Sequence, residues 1–218
     1  AAAELEAQSD PLPHLLYTDD TQMAIGVVEA LLEETLPDEH TYARSFVANY
    51  QAWRGYGAGT RVTIDCLDSG MKPVDAATIM FSDGSYGNGA AMRVAPIGVR
   101  FANEPDVITA QARESALATH RHPLGIDGAV LLAHGVAFAI RTAGEPFDRS
   151  AFFDLLDPLA STDAFKSKLR AAREANSPET RLALGNTIRA QESVPTALAC
   201  FASDPDHFVA AVGGAILL

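Results

Sequence analysis

Apolar residues recur at helical spacing along almost the whole chain. Between residues 19 and 35, Met23, Val27 and Leu31 form one stripe, and acidic residues fall on the other side. Residues 128–143 are apolar nearly all round, which is typical of a helix buried on every side. Further helices are predicted at residues 39–50, 60–67, 103–119, 148–156, 163–175, 178–185, 195–201 and 204–218.

Local capping signals mark several of these helix boundaries. Asp38 and Thr60 are predicted N-caps, and Asn103 followed by Pro105 predicts a third helix start. Gly144 fits the end of the central apolar helix. Strand signals are poor, since only residues 61–65 alternate briefly. No fixed-period repeat or long linker divides the chain, so the pattern predicts one compact all-α domain over residues 1–218.

Charge and composition narrow the class of protein. The 218 residues carry a formal charge of −12, which argues against a protein that neutralises a nucleic-acid backbone. Cys66 and Cys200 are too few for a disulfide framework. Residues 1–10 lack a signal-peptide pattern, and the longest apolar run, 128–140, is shorter than the roughly 20 residues of a membrane span. We expect a cytoplasmic, monomeric protein that binds neither nucleic acid nor membrane.

An acidic turn, Thr18-Asp19-Asp20-Thr21-Gln22, opens the first predicted helix. One interpretation is a capping box, with Asp19 accepting from first-turn amides and Gln22 reaching back. The other is a site for a hard cation, because a hydroxyl and adjacent carboxylates supply oxygen ligands of the kind that magnesium prefers. The turn alone cannot complete such a site. Both interpretations stay open at this point.

A glycine-rich segment runs from Phe81 to Gly89 and precedes a helical pattern at residues 90–94. Its glycines let the backbone approach a ligand, and a helix starting there would add free amides for a phosphate. Ser85 and Asn88 offer hydrogen bonds, and Tyr86 or Phe81 offers a ring for a base. An ordinary surface loop is the alternative.

A histidine pair, His120 and His122, is predicted at a helix end, where the helix dipole favours histidine whatever its function. The functional alternative makes one imidazole a partner of a sugar or phosphate that faces the glycine-rich segment. Arg93 is expected to form a structural ion pair, and Met92 to fill the core.

Taken together, these segments resemble the ADP-ribosylglycohydrolase family, the all-α, magnesium-dependent ADP-ribosyl hydrolases. The matching segments are residues 18–21, residues 84–93, and Thr119-His120 with the glycines that follow. Residues 54–59 and 192–197 are most similar to the branch that removes ADP-ribose from serine and degrades poly(ADP-ribose). The resemblance runs in order from about Tyr17 to the last residue.

The resemblance implies a role for each matching residue. Thr18, Asp19 and Asp20 would be ligands of a pair of magnesium ions, and Asp19 and Asp20 would be the catalytic residues. The diphosphate and the ribose next to it would contact the glycine-rich segment, and His120 the distal ribose or phosphate. Phe81 would lie near the adenine with Tyr86. The residues implied to bind substrate are Phe81, Gly84, Ser85, Tyr86, Gly87, Asn88 and His120.

The implied activity is magnesium-dependent hydrolysis of O-glycosidic ADP-ribose linkages in ADP-ribosyl-serine, poly(ADP-ribose) or O-acetyl-ADP-ribose. ADP-ribose and ADP-ribosylated proteins would be its partners. The chain departs from the family at two places: residues 1–14 do not match its opening helix, and Leu218 stands where its Gly-Gly-Asp-Thr-Asp-Thr segment would follow. We expect that the chain is incomplete at both ends. The alternatives are an arginine-ADP-ribose hydrolase and a catalytically dead ADP-ribose binder.

Overall fold

A computed structural model describes residues 16–218, and every long element in that range is helical. We number the α-helices in chain order: α1 Asp19–Glu33, α2 Glu39–Asn49, α3 Ala58–Asp68, α4 Pro73–Ala76, α5 Ala95–Arg100, α6 Pro105–Leu117, α7 Pro123–Arg141, α8 Arg149–Leu156, α9 Asp163–Glu174, α10 Pro178–Leu182, α11 Ala190–Ser203 and α12 Phe208–Ile216. Short 3-10 helices occupy Ala52–Arg54, Asn88–Ala90 and Asp157–Leu159. The all-α prediction is confirmed, while the expectations for residues 1–14 lie outside the described residues.

Helix α7 is the axis around which the other helices pack. One face, with Ala129 and Ala133, joins an apolar cluster built from α1, α2, α3, α5 and α6. Another face, with Leu131 and Phe138, joins a second cluster formed with α8, α9 and α11. This two-sided burial is the physical reason that residues 128–143 are apolar nearly all round. The observed helix begins earlier than predicted, because Pro123 starts it rather than ending α6.

Several predicted helix boundaries are confirmed and others are wrong. Asp38 caps α2, since its side chain accepts a hydrogen bond from the amide of Thr41 at 2.8 Å. Thr60 does not cap α3, which begins at Ala58 after Gly57. The N-cap of α6 is Glu104 rather than Asn103. Residues 195–201 lie inside the longer helix α11, which keeps Pro195 within its first two turns.

By length and composition α7 could cross a membrane, with 19 residues and a mean hydropathy of 1.6. However, 67% of the apolar stretch is buried against the rest of the chain. A helix at the centre of a packed domain needs the same composition, and the two clusters described above account for it here.

The packing of α5 against α7 depends on Gly98. A Cβ atom at this position would lie 2.4 Å from the carbonyl oxygen of Ala133 and 2.9 Å from the Cβ of Val136. Both atoms belong to α7, and the carbonyl oxygen is part of the backbone, so no side-chain rotation can move it away. The contact therefore requires glycine for reasons of space.

We predict that Gly98→Ala lowers the free energy of unfolding by about 2–3 kcal/mol, because α5 must move away from α7. Urea denaturation measures this loss. Gly214→Ala is the matched control: a Cβ there meets nothing within 4 Å, so it should leave stability unchanged or raise it by up to about 1 kcal/mol. Equal effects of the two substitutions would contradict the packing argument.

Candidate functional site

The acidic turn lies at the start of α1, with Thr18 in extended conformation as the N-cap residue. The hydroxyl of Thr18 donates a hydrogen bond to Oδ2 of Asp20 at 2.8 Å, so the two oxygens already lie side by side. The capping-box prediction is wrong. Asp19 is the first helical residue, and the side chain of Gln22 turns into the protein instead of reaching back.

The buried amide of Gln22 fastens the turn to the next part of the site. Its Oε1 accepts hydrogen bonds from the hydroxyl of Tyr56, at 2.8 Å, and from the amide of Gln51, at 3.1 Å. Burial, and next the charge of Asp19, raise the pKa of Tyr56 to about 12, so this hydroxyl keeps its proton and donates. Sequence reasoning missed this role, although Gln22 shares the buried helical spacing of Gly26 and Ala30.

Residues 55–59, which we call the glycine joint, link the acidic turn to the glycine-rich segment. A Cβ atom at Gly55 would lie 3.8 Å from Oδ1 of Asp19, and one at Gly59 would lie 3.3 Å from the ring of Phe81. One end of the joint thus lies near Asp19 and the other end near Phe81. The joint therefore connects the surroundings of the acidic turn with those of the glycine-rich segment.

The environment of Asp19 disfavours its negative charge. Burial raises the pKa of this carboxyl, and the neighbouring carboxylate of Asp20 raises it further, although Arg61 acts in the opposite direction. A cation that pairs with both carboxylates would relieve this repulsion. The oxygens fit a hard cation chemically, but they supply only part of a coordination shell. Within residues 16–218, no group of three or more His, Cys, Asp or Glu side chains is arranged to hold a metal.

The glycine-rich segment folds back against the start of α7. Gly84 has a φ of +82°, and a Cβ there would lie 2.6 Å from the amide nitrogen of His122. Only glycine fits this conformation and this approach. The predicted helix at residues 90–94 is wrong: the segment leads into the short 3-10 helix Asn88–Ala90, and the next α-helix begins at Ala95. The segment therefore does not itself open an α-helix whose dipole would act on a ligand.

The backbone before α11 pairs with the glycine-rich segment, a contact that sequence reasoning missed. The amide of Asn88 donates to the carbonyl of Ile188 at 2.8 Å, and the amide of Ala190 donates to the carbonyl of Tyr86 at 3.0 Å. The side-chain amide of Asn88 also donates to the hydroxyl of Ser193 at 3.1 Å. The segment is thus held on a second side, which leaves Oδ1 of Asn88 for other partners.

The two predicted histidines differ sharply in environment. His120 lies beyond the end of α6 and is buried, with Nδ1 2.7 Å from the hydroxyl of Thr119. A Cβ at Gly89 would lie 2.8 Å from its Nε2, so the glycine-rich backbone covers the ring. Burial, and next the charge of Arg93, lower the pKa of His120 to about 3. His122 instead caps α7, accepting from the amide of Leu124 at 3.1 Å.

Arg93 does not form the expected ion pair. Its guanidinium is fully buried, donates to the carbonyl of Ser115, and lies 4.3 Å above the ring of Phe46. Within the described part of the chain no carboxylate pairs with it. Burial lowers its pKa to about 9, so it remains a cation at neutral pH. The ion-pair prediction failed because charge patterning cannot reveal a cation held by carbonyl, sulfur and ring contacts.

Two groups of predicted residues therefore come together. Asp19 lies at one end of the glycine joint and Phe81 at the other, while Gly84, Gly87 and Gly89 pack around His120 and His122. Tyr86 stacks edge-on against His122 at 5.5 Å between ring centroids and is 42% exposed. Ser85 accepts a hydrogen bond from the amide of Gly87 at 3.2 Å. Thr18 and Asp20 remain exposed beside Asp19.

A family model described as ADP-ribosylglycohydrolase matches residues 3–218. The chain belongs to the ADP-ribosylglycohydrolase family. This finding confirms the resemblance drawn from residues 18–21 and 84–93. It also agrees with the all-α architecture.

Relatives of the family show how much of a longer protein the chain matches. Over 216 residues it is 37% identical to ADP-ribosylhydrolase ARH3 of Homo sapiens. This match covers 86% of the chain and 58% of the human protein. The same-named protein of Gallus gallus is 36% identical over 225 residues, covering 88% and 60%. The chain thus spans about three-fifths of the length of the curated relatives it matches.

A solved structure shares the fold of this family. A chain described as an ADP-ribosylglycohydrolase-related protein complex superposes with a TM-score of 0.66 at 22% sequence identity. The match covers 92% of this chain and 63% of that chain. At this identity the likeness supports the fold alone.

We predict that buried His120 makes the protein less stable as pH falls below about 6.5. The unfolded chain binds a proton near that pH, whereas the folded state does not until about pH 3, so acid favours unfolding within this window. The free energy of unfolding should fall by about 1.4 kcal/mol per pH unit there for this one group.

Urea denaturation at several pH values tests the effect of His120. His120→Gln should reduce the slope of the free energy of unfolding against pH. The slope that remains should include the contribution of His134, whose pKa is also lowered by burial. A slope that is the same in His120→Gln and in the unsubstituted protein would contradict the assignment.

Proposed function

We propose that the protein hydrolyses O-glycosidic linkages of ADP-ribose and releases ADP-ribose. The observation that carries the proposal is the glycine joint, whose two ends lie near Asp19 and Phe81. A ligand held by the glycine-rich segment would therefore lie within reach of the carboxylates. The names of the ADP-ribosylhydrolase relatives support the same chemistry.

The glycine-rich segment would hold the ADP part of the ligand. Its backbone lies close to the surface between Ser85 and Asn88, where no side chain on the glycines obstructs a diphosphate. Phe81, 48% exposed, and Tyr86 offer ring faces for the adenine. Buried His120 is neutral at physiological pH, so it would act as a hydrogen-bond partner and not as a charge.

The carboxylates of the acidic turn would act at the scissile bond. Hydrolysis at the anomeric carbon passes through a transition state with positive charge on the sugar, which nearby negative groups stabilise. Asp19 and the exposed Asp20 would supply these negative charges. Contacts at the glycine-rich segment would orient the ribose against these two groups.

Magnesium is part of this proposal as a cofactor, with Thr18, Asp19 and Asp20 as its ligands from the described residues. When bound, it would neutralise the two carboxylates and polarise the leaving oxygen. Burial, and next the Asp20 carboxylate, raise the pKa of Asp19, and a bound cation would favour the charged form of both groups.

Serine-linked ADP-ribose, poly(ADP-ribose) and O-acetyl-ADP-ribose are the proposed substrates. Residues 192–197 are similar to the serine-directed branch, and Ser193 in this segment accepts a hydrogen bond from the side-chain amide of Asn88. Ser193 therefore helps to hold the glycine-rich segment in place.

The second candidate function is a binder of ADP-ribose without hydrolysis. Monomeric state and cytoplasmic location stay predictions.

We predict that Asp20→Asn reduces release of ADP-ribose from a serine-modified peptide at least about a hundredfold, since it removes a charge beside the reacting sugar. Calorimetric titration should show weaker Mg²⁺ binding in the same variant. Asp163→Asn is the matched control, because Asp163 is also an exposed acid in the first turn of a helix. It should change neither measurement.

The same assay separates the candidate functions. A peptide modified on arginine, offered beside the serine-modified peptide, should be a poor substrate. Preference for the arginine linkage would identify the arginine-directed alternative. Binding of ADP-ribose without turnover of any substrate would select the non-catalytic binder, and near-normal turnover by Asp20→Asn would contradict the assigned site.

We predict that Asn88→Ala weakens affinity for ADP-ribose about tenfold, because the ligand loses a hydrogen bond that it donates to Oδ1 of a partly buried side chain. Calorimetry with free ADP-ribose measures this. Ser193→Ala removes the partner of Asn88 without removing the amide, so it should cost much less affinity. If both variants lose the same affinity, Asn88 acts only by supporting the segment.

A further inference from the structure

An exposed aromatic platform lies beside the acidic turn and has no part in the function argued so far. The guanidinium of Arg54 is sandwiched between two rings, 3.5 Å from the centroid of Tyr17 and 4.1 Å from that of Trp53. We call these three residues the aromatic platform. Trp53 is 63% exposed and Tyr17 is 38% exposed, so large ring surfaces face water.

The platform is held in a defined geometry. Nη1 of Arg54 donates to the carbonyl of Tyr17 at 2.7 Å, and Nε donates to Oε1 of Gln51 at 3.0 Å. Within the described part of the chain, Nη2 has no hydrogen-bond partner. The backbone of Gln51 is in turn held by buried Gln22. An exposed indole face next to a guanidinium nitrogen that has no partner among residues 16–218 is a combination that recognises ligands.

The position of the platform indicates which part of a substrate it meets. Tyr17 precedes the acidic turn directly, and Arg54 precedes Gly55, the end of the glycine joint that lies near Asp19. The other end of the joint lies near Phe81, the first residue of the glycine-rich segment. A ligand with its ADP part on that segment and its scissile bond at Asp19 would therefore present its acceptor side to the platform.

We propose that the aromatic platform binds the polypeptide that carries the ADP-ribose. This inference rests on the proposed function, because it takes the acidic turn as the reaction centre. The indole of Trp53 packs against a side chain that flanks the modified serine, and Nη2 of Arg54 donates to a main-chain carbonyl of the acceptor. The platform thus selects serine-modified protein over small ADP-ribose esters.

Charge favours a polypeptide over a second ADP-ribose unit as the occupant. Each unit of poly(ADP-ribose) carries a diphosphate, and the protein has a formal charge of −12. Placing another diphosphate there incurs repulsion, whereas a basic polypeptide is attracted. The guanidinium of Arg54 is also partly occupied by its two ring partners.

Fluorescence tests the proposal directly, because Trp53 is the only tryptophan of the chain. The Asp20→Asn variant keeps substrates intact during titration. A short lysine-rich peptide with ADP-ribose on its central serine should shift the emission of Trp53 to the blue, as the indole leaves water. Free ADP-ribose, followed by calorimetry in parallel, should bind without this shift.

Any other outcome contradicts the proposal. Each of these outcomes can be distinguished from a failure of the proposed function. Peptide binding without a shift, or an equal shift with free ADP-ribose, removes the platform from the acceptor side. A shift with poly(ADP-ribose) alone assigns the platform to a further ADP-ribose unit. A shift that depends only on protein concentration indicates a second copy of the chain. Absence of any binding in calorimetry contradicts the proposed function as well.

Kinetics supply a second measurement in the otherwise unsubstituted protein. Trp53→Ala should raise the KM for the serine-modified peptide about five- to tenfold and leave kcat unchanged. Hydrolysis of O-acetyl-ADP-ribose, which has no polypeptide, should be unaffected. Trp53→Phe keeps a ring face and should restore most of the lost affinity. Equal losses for both substrates would contradict the proposal.

Discussion

The candidate site depends on one buried cation, the guanidinium of Arg93, which contacts several of the helices around it. Arg93 follows the glycine-rich segment in the chain, and its guanidinium contacts Met23 of α1, Phe46 of α2 and Ser115 of α6. Burying a charge without a carboxylate partner is costly, so these contacts must be maintained together for the fold to persist. The helix that begins with the acidic turn and the segment expected to bind diphosphate are thereby fixed in one body.

That arrangement explains the electrostatics around the site. The charge of Arg93 helps burial to keep His120 neutral, and it also opposes the rise in the pKa of Tyr56. A protein of charge −12 thus holds one positive charge in its interior, close enough to His120 and Tyr56 to change their pKa values.

The sequence predicted the helices well where burial determines the pattern. The all-round apolar composition of α7 follows from its contact with two clusters, and Asp38 caps α2 as expected. Prediction failed where a side chain had alternatives of similar local energy. Gln22 could reach back or turn inward, and only the distant Tyr56 decides between these conformations. The strand-like pairing of Gly87 with Arg189 was likewise invisible, since it joins positions far apart in the chain.

The central claim is that the acidic turn and the glycine-rich segment belong to one site. Manganese, which takes the same oxygen ligands as magnesium, broadens the NMR signals of nearby amides. Bound at Asp19 and Asp20, it should broaden the amides of Ser85 and Asn88 more strongly than those of the surface helix α9. Broadening confined to the acidic turn, or equally strong on α9, would contradict the account.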